Sequence, residues 1–180
     1  MLDQTMVQLF ILYVSYLVVA PAWVFADDEC SKLPLELENT PRDCCQPPKF
    51  AENLENNCEN ATNIFCQYEC TFNESRILQN DGVKTTDLKA HFDLELKSDP
   101  DYIPIAIKAV QTCYTLVKQK MGNKDQIVGG CSVLPSLVAT CTDNQIFVNC
   151  PPNKWKTDPL CEAAKAFLKK CPVRNFPISN

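Results

Sequence analysis

Twelve cysteines are the residues of this 180-residue chain that could do chemistry together. Three chemistries are open to them: thiolate nucleophiles, metal ligands, or disulfides. A catalytic thiolate needs a base beside it, and the chain holds one histidine, His91, with no evident partner. Structural zinc favours Cys-x2-Cys pairs and nearby histidines, and neither pattern occurs. An even cysteine count in a chain with a secretory-type leader reads instead as six disulfides. At ~2–4 kcal/mol per bridge, a domain so stapled tolerates a hollow core better than an unstapled one.

The leader is the stretch from Met6 to Phe25, almost wholly apolar, with Asp3 the lone charged side chain before Asp27. Val24-Phe25-Ala26 followed by Asp27-Asp28 fits signal-peptidase cleavage, so residues 1–26 are expected to be removed and residues 27–180 to form one domain. The alternative is an uncleaved signal anchor, since the run is nearly long enough to span a bilayer. After cleavage no stable membrane association is expected. The net charge of −5 argues against a nucleic-acid partner. Gly-rich phosphate loops, G-x-S-x-G and H-E-x-x-H are absent. With every cysteine paired no thiolate remains, so the expectation is a protein that is not an enzyme and carries no cofactor and no metal.

The elements that must position the cysteines are helical, and the expected fold class is all-α. Residues 27–43 read as an extended arm carrying Cys30, followed by a rigid turn with Cys44-Cys45 and Pro47-Pro48. Adjacent cysteines rarely pair, so these two need separate partners. Lys49 to Asn57 is a weak helix signal, and Asn60 to Thr71 a better one, with Cys66 and Cys70 a turn apart on one face. Thr85 to Lys97 predicts a short helix with Leu88 and Phe92 inward. His91 there could act as a pH switch, but a surface histidine is the commoner outcome. The clearest helix is capped by Asp101 and carries an apolar stripe of Ile103, Ala106, Ile107, Val110, Cys113, Tyr114, Val117 and Met121. Gly122 ends it. Pro135 to Val148 is apolar all round and reads as central and buried. The last helix has Asp158 as N-cap and Pro159 at its first position. Pro172 stops it. Residues 151–180 form a C-terminal extension. Two glycosylation sequons begin at Asn60 and Asn73, the latter expected just past a helix end.

Cys141 and Cys150 are nine positions apart. On one helix they leave opposite faces ~13 Å apart along the axis, beyond the ~7 Å a disulfide can bridge. Each therefore needs its own neighbour. Cys66 and Cys70 are likewise poorly placed to bond to each other. Geometry calls for bridges between helices without choosing among them.

These spacings resemble insect odorant-binding proteins. The shared pattern is Cys66-x3-Cys70, then x42 to Cys113, then Cys141-x8-Cys150. Cys131 before it, Pro151 directly after Cys150, and Cys161 and Cys171 beyond resemble the Plus-C subclass prominent in mosquitoes. The resemblance covers about residues 44 to 171. It implies a compact domain of about six helices around an apolar cavity. It also implies carriage of small volatile or lipid-like molecules through the fluid bathing sensory neurons (sensillum lymph) or another body fluid. An olfactory receptor would be a partner, and the protein a monomer or weak dimer.

By the family's interlocked pattern, the resemblance implies Cys66 paired with Cys141, Cys113 with Cys150, and Cys70 with Cys45. Cys30, Cys44, Cys58, Cys131, Cys161 and Cys171 are left for three unassigned bridges. The expected ligand-binding residues are Ile103, Ile107, Val110, Tyr114, Val138 and Phe147, on the two most central helices. Two other classes fit the composition. A plant-type lipid-transfer module would need a Cys-x-Cys, which is missing. A secreted disulfide-rich inhibitor or effector acting through its surface is the main alternative.

Overall fold

A computed structural model describes residues 30, 32–37, 40, 43–49, 58, 60–78, 82–122 and 125–173. The expected leader and the weak helix signal over 50–57 lie outside these residues. Among the described residues there are five α-helices: α1 (Ile64–Glu74), α2 (Thr85–Glu95), α3 (Ile103–Met121), α4 (Leu134–Val148) and α5 (Pro159–Lys170). Short 3-10 turns at Leu35–Leu37, Pro100–Tyr102 and Pro152–Lys154 and one small hairpin complete them. The all-α, disulfide-stapled fold class stands.

Several helix ends have a local cause. Asn63 caps α1, its side-chain oxygen accepting from the N–H groups of Phe65 and Cys66. The helix ends with Arg76 in the left-handed region at φ 55°. Ile77 N–H then bonds Phe72 C=O and Arg76 N–H bonds Asn73 C=O. This is a Schellman close, sealed by burial of both Ile77 and Phe72. Asn73 therefore lies in the last turn of α1, not past its end, and both Asn60 and Asn73 are exposed. Asp158 caps α5 through a 2.9 Å bond from Leu160 N–H. Asp101, expected to cap α3, instead sits inside the preceding 3-10 turn, and α3 starts without a side-chain cap. Pro100 and Pro104 explain the difference. Each is tolerated only in a first turn, so the chain starts twice.

The core sits where α3 and α4 run together. Ala106, Ala109, Val110, Cys113 and Val117 are buried on α3. On α4 every residue from Leu134 to Val138 is buried, whereas Ile146 to Val148 are half-buried. The apolar-all-round sequence of α4 thus marks a central first half and a peripheral second half. Leu88 and Phe92 of α2 close one side, as their spacing predicts.

The hairpin was not legible as strand. β1 (Ile127–Val128) pairs antiparallel with β2 (Cys131–Ser132) across Gly129-Gly130, both at positive φ. A Cβ at Gly129 would also crowd the Asn63 side-chain amide, which would have to shift. The turn is pressed against the start of α1, and that places Cys131 beside Cys66.

All twelve cysteines are paired, but the expected pairing is corrected. The bridges are Cys30–Cys171, Cys44–Cys161, Cys45–Cys150, Cys58–Cys70, Cys66–Cys131 and Cys113–Cys141. Cys66 does not meet Cys141, because the hairpin brings Cys131 to a Cα separation of 5.1 Å first. Cys113 does not meet Cys150, because α3 lies along α4 and its Cα is 5.6 Å from that of Cys141. Cys70 takes Cys58 rather than Cys45, which faces Cys150. Cys150 is not on α4 at all, since the helix stops at Val148 and Asn149 caps it.

The order of links is nevertheless the expected one. Among Cys58, Cys66, Cys70, Cys113, Cys131 and Cys141 the bridges run first to third, second to fifth and fourth to sixth. The expected set had that same order beginning at Cys45. The interlock is present but begins one cysteine later, at Cys58, and ends one cysteine earlier, at Cys141, so Cys131-x9-Cys141 plays the part assigned to Cys141-x8-Cys150.

Candidate functional site

Of the six residues expected to bind ligand, Phe147 alone lines any of three grooves found among the described residues. Val110 and Val138 are sealed in the core at 2% and 0% exposure. Ile103, Ile107 and Tyr114 are half-buried and pack against that core from α3. Tyr114 also lies over Gly82, where an added Cβ would meet its hydroxyl at 3.3 Å. Phe147 stands apart, near the end of α4, with its ring edge-on to Trp155 at 5.3 Å. The helical stripe marks core at most of these positions, because every buried face needs one.

Phe147 does line a groove. Leu33, Leu37 and Thr40 of the N-terminal arm form one wall of it. Asn144 and Phe147 of α4 and Ala164, Phe167 and Leu168 of α5 form the others, enclosing about 190 Å³. Among the described residues no charged side chain lines it. Two larger grooves are different in character. One of about 410 Å³, beside the Cys30–Cys171 bridge, is lined in part by Lys120 and Lys170. The other, about 340 Å³ at the start of α3, includes Lys108 and Asn149. For a neutral apolar ligand the arm groove is the best matched of the three, as such sites are mainly apolar with few polar groups.

The arm is held over this groove by its bridges. Cys44–Cys161 anchors it near the start of α5 and Cys30–Cys171 just past the end. Those anchors on α5 are ~15 Å apart along the helix, whereas the arm between them would reach ~46 Å if extended. The arm is therefore not fully extended, and it turns at Leu35–Leu37. Leu37 points inward, 5% exposed, while Leu35 is 76% exposed. Thr40 donates its hydroxyl to Leu37 C=O at 2.7 Å, which closes the turn.

A buried polar cluster fixes the other end of the arm. Asp99 pairs with Lys154 and also accepts from Lys49 N–H at 3.3 Å. Lys154 lies 4.9 Å from the centre of the Tyr102 ring. The Tyr102 hydroxyl donates to Gln46 C=O and sits 3.1 Å from Cys45 Sγ. The hydrogen bond from Lys154 holds the Asp99 carboxyl below its ordinary 3.8, against the opposing effect of burial. Burial, with Asp99 nearby, pushes the Tyr102 phenol up. This cluster and the Cys45–Cys150 bridge join the arm, the start of α3 and the extension at one point. His91 has an unforeseen partner too, Glu95 at 3.3 Å one turn along α2.

A potential metal cluster among the described residues, Cys58, Cys70 and Glu74, is discounted because both sulfurs are in one disulfide. None of the described helices is long and apolar enough to cross a membrane.

No protein-family profile matches the chain. No solved structure matches it either. Among characterised proteins the chain is similar to General odorant-binding protein 68 of Anopheles gambiae, at 23% identity over 159 residues. The match covers 81% of this chain and 69% of that protein.

Proposed function

We propose that this chain is a secreted carrier that binds small hydrophobic molecules non-covalently and moves them through extracellular fluid. The ligands would be odorants, pheromone-like compounds or other semiochemicals, and an olfactory receptor the partner to which they are delivered. The observation that carries this reading is the interlock of Cys58, Cys66, Cys70, Cys113, Cys131 and Cys141. Its link order is the one implied by the resemblance to odorant-binding proteins, on a helical core. The similarity to a mosquito odorant-binding protein supports it independently. Six disulfides support an oxidising, extracellular location. A surface-acting inhibitor or effector has less behind it. Among the described residues four large apolar side chains are exposed, Leu35, Ile64, Leu94 and Ile127, each on a different element.

An apolar fluorescent probe tests the proposal. One probe is expected to bind per chain and to be displaced by neutral alcohols, esters and aromatic volatiles at micromolar concentrations. A folded protein from which none of these displaces the probe would exclude a carrier.

A further inference from the structure

We infer that the Cys66–Cys131 bridge is a thiol-exchange site, at which a small thiol captures Cys131 and Cys66 leaves as the thiolate. This goes beyond the carrier reading and does not depend on it.

The two sulfurs differ in their surroundings. Asn63 Oδ1 accepts from the N–H groups of Phe65 and Cys66, which fixes the amide nitrogen toward the bridge, 3.2 Å from Cys66 Sγ. The Thr62 hydroxyl lies 3.5 Å from the same sulfur. Both are donors, and a donor favours a sulfur carrying negative charge over a neutral one. Among the described residues the polar contacts of the bridge all fall on Cys66. The opposing contact is Gly129 C=O, 3.8 Å from that sulfur, and it belongs to the hairpin that exchange sets free.

Exchange runs faster when the departing thiolate is the better stabilised. The attacking thiolate gives an electron pair to Cys131 Sγ, the Sγ–Sγ bond breaks, and its pair leaves on Cys66. The attacking sulfur is oxidised into a mixed disulfide with Cys131, and Cys66 is reduced. One thiolate is consumed and one is produced, with no net proton transfer.

Cys161 supplies a comparison inside the molecule. It is the third residue of α5, as Cys66 is of α1, so the helix end does not distinguish them. Yet Cys44 and Cys161 are sealed at 0% exposure, and the cap of α5 is the Asp158 carboxylate. Cys66 and Cys131 are half-buried, and the cap of α1 is a neutral amide. Accessible disulfides are the ones that exchange readily.

Exchange detaches the hairpin as a unit. Val133 N–H bonds Gln126 C=O at 2.9 Å and the Ser132 hydroxyl donates to Asp125 at 2.9 Å, so the hairpin is closed on its own account. The bridge Cys113–Cys141 keeps α3 and α4 joined meanwhile.

The test exposes disulfide-intact protein to reduced glutathione for short times, blocks free thiols with N-ethylmaleimide at mildly acidic pH and maps the peptides. Glutathione should appear on Cys131 and the maleimide on Cys66, before any other bridge opens. Asn63→Asp keeps a cap of equal rank but sets a carboxylate against the departing sulfur, and should slow exchange about tenfold at neutral pH. Thr62→Val, which keeps the shape and removes the hydroxyl, should slow it about two- to threefold and serves alone if Asn63→Asp does not fold. Glutathione found on Cys66 would overturn the direction of attack. A rate unmoved by either variant would mean that exposure alone governs the bridge, and the leaving-group assignment would fall. Earlier opening of Cys44–Cys161 or Cys113–Cys141 would overturn the site itself. Probe displacement, which tests the carrier reading, is a separate measurement that none of these outcomes decides.

Discussion

Full reduction of the six disulfides is expected to abolish cooperative unfolding altogether. Each bridge contributes ~2–4 kcal/mol, chiefly by restricting the unfolded chain, and more for longer loops. Three of the six close loops of 105, 117 and 141 residues. Together the bridges are worth at least as much as the ~5–15 kcal/mol net stability of an ordinary domain. The reduced chain then lies on the unfolded side. Calorimetry with and without reductant checks this, and an unchanged transition after complete reduction would contradict it. The half-buried Cys66–Cys131 bridge should open before Cys113–Cys141, whose residues sit in the core at 0% and 1% exposure. Under mild reductant the hairpin should come loose from α1 while α3 and α4 stay joined.

The second large effect is expected at Lys154. Its pairing with Asp99 is almost closed off from water, with side chains 13% and 9% exposed. Lys154→Ala leaves the carboxylate buried with only the Lys49 N–H, a loss that typically costs about 3–5 kcal/mol. For a chain of this length the melting temperature should fall by roughly 6–20 °C. Because Lys154 holds the Asp99 pKa below 3.8 in the folded state, its stabilisation is complete above that value. It is lost as the pH falls through the lowered folded value. The native protein should therefore weaken in that acidic window. The gap to Lys154→Ala should narrow there, since a protonated Asp99 no longer needs the cation. A melting temperature unchanged by Lys154→Ala at neutral pH would show that the pair is not holding the arm. Asp99→Asn with Lys154→Met should recover much of the loss, because replacing a whole buried pair costs less than breaking it.

Much of the helical framework was readable from local chemistry. Asp158-Pro159 marks the start of α5 and Gly122 the end of α3, since caps and left-handed positions act within one turn. The stripe on α3 was readable for the same reason. What escaped was non-local. Cys131-x9-Cys141 and Cys141-x8-Cys150 differ by one residue, and no local rule ranks them. The choice is made by a Gly129-Gly130 hairpin of two-residue strands, too short to show alternation. The paired glycines were the signal that could have found it. The ligand residues meet the same limit. A helical stripe says which face is buried but not whether a cavity or a neighbouring helix faces it. Phe147 joins a groove because the arm is strapped back across α5, and that depends on Cys30 finding Cys171 far along the chain. Leu33, Leu37 and Phe167 could not be found without that link.

Peptide mapping of the non-reduced protein by mass spectrometry, with digestion in acid to prevent exchange, tests the interlocked core most directly. Linked peptides should join Cys58 to Cys70, Cys66 to Cys131 and Cys113 to Cys141, with the remaining cysteines strapping the arm to the extension. Cys66 recovered with Cys141, or Cys113 with Cys150, would contradict it.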